Sequence, residues 1–296
     1  MPARAARNAL TRRLQVLDRN LPAAVQPGDA EAVHRSRVAS RRLREALPVL
    51  HPPVDPRALR KSRRAVRGLT RLLGGVRELD VALSILDELS ASHPDLSVGV
   101  AVARRLVEQQ RLRRREEMLR GLVDLEPRKL RKKLVALSEM TRLPAVAERR
   151  ARLHERLGPR VMGVAAAMEN AGSLYAFDRL HRVRIAIKKL RYLLELVHEV
   201  AGIGTRRLVR RLKSAQDLLG RLHDLEVLAG FARAALAAHP AHAIQLRTLL
   251  DLVEGETRQR HAQYLRLVPR LAAVLEACRT DLDRRLDIFQ GPERHK

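Results

Sequence analysis

The feature that most constrains this chain is an internal repeat. "HRSRVASRRLR" at residues 34–44 returns as "HRVRIAIKKLR" at 181–191, an offset of 147, and "LLGGVRELDV" from Leu72 returns as "LLGRLHDLEV" from Leu218, an offset of 146. Between these blocks Arg60, Arg64 and Arg67 answer to Arg206, Arg210 and Lys213. A period of this kind predicts two halves built alike, 1–150 and 151–296, which can share a core and count as one domain.

Leu, Ala and Val recur at three- and four-residue spacings almost throughout, and alternating β-branched stretches are nearly absent, so the expected fold is all-α with about ten helices. Asp29 is placed to cap the helix carrying His34, and Asp55 with Pro56 reads as the start of the next. Pro127, Pro144, Pro159 and Pro240 suit helix starts or breaks better than helix interiors. "MPARAARNALTRRLQVL" reads as a first amphipathic helix, with a fainter likeness to a transit peptide. At 46% hydrophobic residues the chain has enough apolar side chains for a substantial core.

On a helical wheel His34, Arg37, Arg41 and Arg44 share an arc of about 80°, and His181, Arg184, Lys188 and Arg191 share the same one. Ala39, Leu43, Leu47 and Leu50 lie nearly opposite, as do Ala186, Leu190, Leu194 and Val197, so each helix is expected to bury one side and aim its cations the other way. In the next helix Arg60, Arg64, Arg67 and Arg71 form another row, facing away from Leu69, Leu72 and Leu73. Its second copy holds Arg206, Arg210 and Lys213, but Asp217 stands where the fourth cation would be.

A solvated helix face usually mixes acids among its bases at i, i+4, whereas these rows are nearly pure cation and repel themselves. A bound polyanion offsets such repulsion through many charge-assisted hydrogen bonds. The whole chain points the same way: 59 Lys and Arg against 33 Asp and Glu leave a net charge of +26, which favours nucleic acid, anionic membrane or polymeric phosphate as partner. Arg outnumbers Lys, and the guanidinium fork fits phosphate oxygens.

Aromatic residues make up 2% of the chain and Trp is absent, which disfavours base stacking on single strands. No helix-turn-helix or zinc signature marks a duplex reader, although "RKLRKK" at 128–133 keeps a nucleic-acid-binding basic helical protein as the alternative. No uncharged stretch approaches the roughly 20 residues a membrane span needs. Cys278 is the only cysteine, so no intramolecular disulfide forms and the composition fits a reducing cytoplasm. Neither H-x-x-R motif supplies a second local metal ligand, and no carboxylate cluster for Mg²⁺-assisted phosphoryl transfer accompanies the rows. The reading is therefore of a protein with no catalytic residues, no metal and no cofactor, in which the histidines donate hydrogen bonds to phosphate. Glu78 and Asp80, matched by Asp224 and Glu226, follow what read as Gly-containing turns. They serve either helix N-terminal dipoles or the orientation of nearby arginines. His223 occupies the place of Arg77 and is not expected to be a ligand.

The doubled H-x-x-R-x-x-x-[RK]-[RK]-L-R motif, each copy followed by Leu-Leu-Gly and an acidic pair, resembles the CHAD family, the conserved histidine α-helical domain, over about residues 4 to 285. The resemblance implies two similar helical bundles related by a pseudo-two-fold axis, with basic helix faces lining a central groove or pore. It also implies binding of inorganic polyphosphate, often at polyphosphate granules. The family's basic pattern falls on His34, Arg37, Arg41, Arg44, His181, Arg184, Lys188 and Arg191, with the rows of the second helices beside them. Asp217 departs from that pattern. "EGETR" at 254–258, the nearest string to the triphosphatase motif of some relatives, reads as chance.

Overall fold

The computed structural model describes residues 2–26, 29–50, 56–139 and 145–287. Asp55 and Pro144 lie outside them. The described residues form nine α-helices of 13 residues or more, a short tenth, and no strand. In chain order they are α1 (Pro2–Ala24), α2 (Ala30–Leu50), α3 (Pro56–Ser92), α4 (Ser97–Leu125), α5 (Pro127–Glu139), α6 (Val146–Ala171), α7 (Phe177–Ala201), α8 (Arg206–Ala238), α9 (Ala243–Ala277) and α10 (Asp283–Asp287). Short 3₁₀ turns, Pro94–Leu96 and Pro240–His242, join α3 to α4 and α8 to α9.

Local chemistry explains many of the boundaries. The Asp29 carboxylate accepts the Ala32 N–H at 2.7 Å, capping α2 as expected. Gly202, at φ 70°, ends α7 in a left-handed conformation that costs glycine no Cβ clash. Thr205 then donates its hydroxyl to the Leu194 carbonyl at 2.7 Å, folding α8 back along α7. Pro127 and Pro240 open their helices. Pro159, by contrast, sits inside α6. It is exposed, so water can satisfy the carbonyl it strands, while Leu153, Leu157, Val161 and Val164 continue the buried row past it.

Two main apolar cores organise the helices, beside a minor cluster of Val102, Ala235 and Leu246. The larger draws Leu10 and Leu14 from α1, Leu43 and Leu47 from α2, Leu157 from α6, Leu190 and Leu194 from α7 and Val274 from α9, so it is not divided near residue 150. The smaller packs the far end of α3 (Ile85, Leu86) and the start of α4 (Val100, Val107) against Leu228 and Ala232 of α8 and Leu249 and Val253 of α9.

Helices α3 and α8 each run through both cores, and this corrects the reading of the Leu-Leu-Gly strings as turns. Gly74, Gly75 and Gly220 lie within unbroken helices of 37 and 33 residues. A glycine inside a helix costs about 1 kcal/mol, which the buried residues on either side outweigh: Leu69 and Leu73 before Gly74, Leu79 and Leu86 beyond it. Because the helices do not end there, the acidic pairs that follow cannot complement helix N-termini.

Candidate functional site

Helix α7 packs against α1, α2, α6 and α8, so its cationic row does not face open water as its wheel suggests. Lys188 is only 6% exposed and Arg191 8%. The matching row of α2 is half-buried throughout. The two rows face each other where α2 meets α7, bringing Arg37 and Arg41 within electrostatic reach of Arg184 and Lys188.

This quartet carries the charge anomaly of the molecule. None of the four makes an ion pair with a described acid, and the Nε groups of Arg41 and Arg184 are buried without a hydrogen-bond acceptor. Arg37 donates from Nη1 to the Thr70 carbonyl of α3 at 2.8 Å, a bond that fixes its place without neutralising it. Burial, and then Arg184, Arg41 and Arg37, push the Lys188 ammonium down to about 6. Burial followed by Arg41 and Arg184 lowers Arg37 to about 10. Glu78 offsets part of the charge on Arg37 and Arg184, and Asp224 part of that on Arg184; buried charge that stays uncompensated is costly, and an incoming oxyanion relieves it.

Glycine makes the arrangement possible. A Cβ on Gly74 would collide with the Arg37 guanidinium, whose Cζ lies 3.1 Å from that position. Gly220 plays the looser counterpart to Arg184, whose Nε lies 3.7 Å away. These glycines follow the Leu-Leu pairs because an arginine from the neighbouring helix crosses the helix surface there.

The ends of the two rows behave differently. Arg44 approaches Glu45 at 3.8 Å. Arg191 is held by Glu195, donates to Gln216 at 3.0 Å, and lies over the Tyr192 ring at 4.6 Å. At the other end burial, then Arg77, lowers His34. His181 is pushed down to about 4 by burial, then His223, Arg184 and Lys188. Both imidazoles are thus disfavoured as cations in the free protein.

The rows of α3 and α8 stay on the surface. Arg60, Arg64, Arg67, Arg71, Arg206 and Arg210 are exposed and pair with no described acid. Lys213 is neutralised by Asp217 at 2.6 Å, so the departure noted in the sequence removes a second charge as well. Gly74 and Glu78 continue the α3 row on the same helix face, which leads from Arg60 towards Arg37 over about 20 Å.

Several contributors were not among the expected residues. Glu195 falls in the arc of the α7 row, about 40° before His181, and Tyr192 borders it, about 20° past His181, so extending the wheel one turn would have found them. Among the acidic pairs, Asp80 holds Arg111 at 2.6 Å and Glu226 holds Arg233 at 3.1 Å, arginines outside the rows, while Asp224 and Glu78 attract Arg184 within the α7 row. Glu78 instead accepts from His223 at 2.9 Å. "EGETR" lies in mid-α9, where Glu254 pairs with Arg233. Among the described residues no three His, Cys, Asp or Glu side chains gather closely enough to hold a metal ion. No described helix is long and apolar enough to cross a membrane.

An all-helical chain built around a buried cation quartet is the class these observations define, and comparison places it. The family model of the CHAD domain matches residues 8–233, and the chain belongs to the CHAD family. Among solved structures it is similar to the CHAD domain from the plant Ricinus communis, with 24% identity and a TM-score of 0.65 over 93% of this chain and 91% of that one. It is also similar to PptA from Streptomyces chartreusis, with 20% identity and a TM-score of 0.65 over 89% of this chain and 98% of that one. These likenesses establish a shared fold. No curated protein matches the chain in sequence.

Proposed function

We propose that the protein is a non-catalytic binding module for inorganic polyphosphate. The observation that carries this reading is the quartet Arg37, Arg41, Arg184 and Lys188, four clustered basic side chains, none of them in an ion pair with a described acid. A linear phosphate polymer brings about one negative charge per unit and no bases, which suits a site rich in guanidinium and poor in aromatic rings. In this reading the chain is one domain whose alike halves, 1–150 and 151–296, are related by a pseudo-two-fold axis and enclose a central basic groove. The polymer lies across the quartet, with His34 and His181 donating to it, and the rows of α3 and α8 draw its free ends along the surface. Recruitment to polyphosphate granules in the cytoplasm follows from such affinity.

Titration calorimetry with polyphosphate tests the proposal. Replacing Arg37 and Arg184 by Gln should weaken binding far more than the same change at Arg113 and Arg120, exposed cations outside the rows. Equal losses would leave only nonspecific charge attraction. Duplex DNA at equal phosphate concentration should fail to displace the polymer; if it succeeds, the nucleic-acid alternative stands. Chain shortening in the presence of Mg²⁺ that His34→Ala abolishes would make the protein an enzyme instead.

A further inference from the structure

The halves differ where their histidines end. His34 faces Arg77, a fixed cation, whereas His181 meets His223, with 3.2 Å between the two Nδ1 atoms. His223 is held on its other side as well: its Nε2 lies 2.9 Å from Oε1 of Glu78, and the ring of Phe177 stacks on it at 5.4 Å and 6°. Three helices therefore contribute one continuous line, Glu78 from α3, His223 from α8 and His181 from α7.

Hydrogen-bond valence restricts how protons can occupy that line. An ionised carboxylate only accepts, so Nε2 of His223 must carry a proton and donate it. The hydrogen bond from His223, and the charges of His223, Arg37 and Arg184, hold Glu78 below its usual range despite partial desolvation. Between the two Nδ1 atoms one hydrogen is needed, since two would clash and none would oppose lone pairs. When the histidine pair is neutral, that hydrogen belongs to His181, whose outward Nε2 is then a bare acceptor. When the pair holds one more proton, His223 is the imidazolium beside Glu78, its Nδ1–H donates to His181, and Nε2 of His181 carries a hydrogen.

We propose that Glu78, His223 and His181 form a proton relay that switches His181 from acceptor to donor, so that phosphate binding in the second half takes up a proton which the first half does not require. This rests on phosphate being the ligand. An anionic oxygen approaching Nε2 of His181 needs a donor. A solvent proton adds there, and the Nδ1 proton of His181 passes to Nδ1 of His223. The net change is one proton gained, with the positive charge placed beside Glu78. Arg184 and Lys188 on α7 oppose a charge on His181 itself, as does His223 from α8, while Glu78 from α3 favours it; moving the charge to His223 transfers it towards that carboxylate and towards Asp224 of α8, which also lies within reach of Arg77 of α3. Glu78 and His223 are thus positioning and specificity-determining groups, selecting the protonation state in which His181 can hold phosphate.

The test uses the full chain with nitrogen-15-labelled histidine and inorganic tripolyphosphate. On binding near neutral pH, Nε2 of His181 should change from the unprotonated to the protonated chemical-shift range, with both nitrogens of His223 protonated. Calorimetry in two buffers of different ionisation enthalpy should count about one proton fewer taken up by His223→Arg, which copies the first half, than by the native protein; protons taken up by Lys188 are common to both. Glu78→Gln should move the pH profile of binding to more acidic values. Binding with unchanged histidine nitrogens, or equal proton counts, overturns the relay and leaves the proposed function standing. Absence of tripolyphosphate and polyphosphate binding overturns both.

Discussion

The row on α3 and the row on α2 are both written in alternating three- and four-residue steps, yet one is exposed and the other is pressed against a matching row from α7. The difference teaches where binding energy is stored. On α3 water and salt screen each guanidinium, so an anion gains little per contact. Between α2 and α7 the cations have already lost much of their hydration and repel one another, so a phosphate entering there makes its bonds at less further desolvation cost. The surface rows should govern capture and salt dependence, and the buried quartet should govern affinity.

The sharpest way to break this comparison is to neutralise two cations in each region. Arg41→Gln with Lys188→Gln should cost about 3–5 kcal/mol of polyphosphate binding, from the usual worth of hydrogen bonds to charged groups. Arg64→Gln with Arg67→Gln should cost about 1 kcal/mol or less at moderate salt. Calorimetric affinities that fell equally would remove the distinction.

Stability should move the opposite way. Lys188→Met replaces a buried amine, pushed down to about 6 by burial and its cationic neighbours, with an apolar side chain, and should stabilise the free protein by about 1–4 kcal/mol while weakening binding, a trade visible in paired thermal melts with and without polyphosphate. The equivalent change at exposed Arg64 should leave the melt within about 0.5 kcal/mol.

Titration sharpens the point. In the folded protein Lys188 sits at about 6, against an ordinary 10.5. Between those values the unfolded chain binds more protons, so the stability of the free protein should rise with pH across that window. His181, lowered to about 4 from 6.5, extends the same sign downward. Ligand affinity should fall over the upper window, because binding must recharge Lys188, and Lys188→Met should flatten that part of both curves.

A smaller effect should separate the two glycines. Gly74→Ala should push the Arg37 guanidinium off the Thr70 carbonyl and weaken binding by about 1 kcal/mol. Gly220→Ala meets Arg184 only at ordinary contact distance, so it should leave binding intact and gain up to about 1 kcal/mol of helix stability. Smallest of all, Asp217→Ala should free Lys213 and tighten binding by a few tenths of a kcal/mol at low salt.

Particular residues show what the sequence made legible and what it withheld. Helix type, the cap at Asp29 and the rows themselves followed from periodicity, which is a local property. Burial of Lys188 did not, because a wheel describes a single helix and α7 has neighbours on nearly every side. Gly74 was misread as a turn for a related reason: its small size answers to Arg37, 37 residues earlier in the chain, and only the packed pair reveals that need. Likewise the partner of His223 is Glu78, 145 residues away, a pairing no local motif announces.

The pooling of the larger core between early and late helices has a practical corollary for anyone wishing to dissect the molecule. A fragment ending before α6 would strip α2 of the hydrophobic wall supplied by Leu190 and Leu194 and should be recovered as an aggregate rather than as a miniature of the whole. Duplicated sequence here does not mean modular parts; each copy serves as the other's interior.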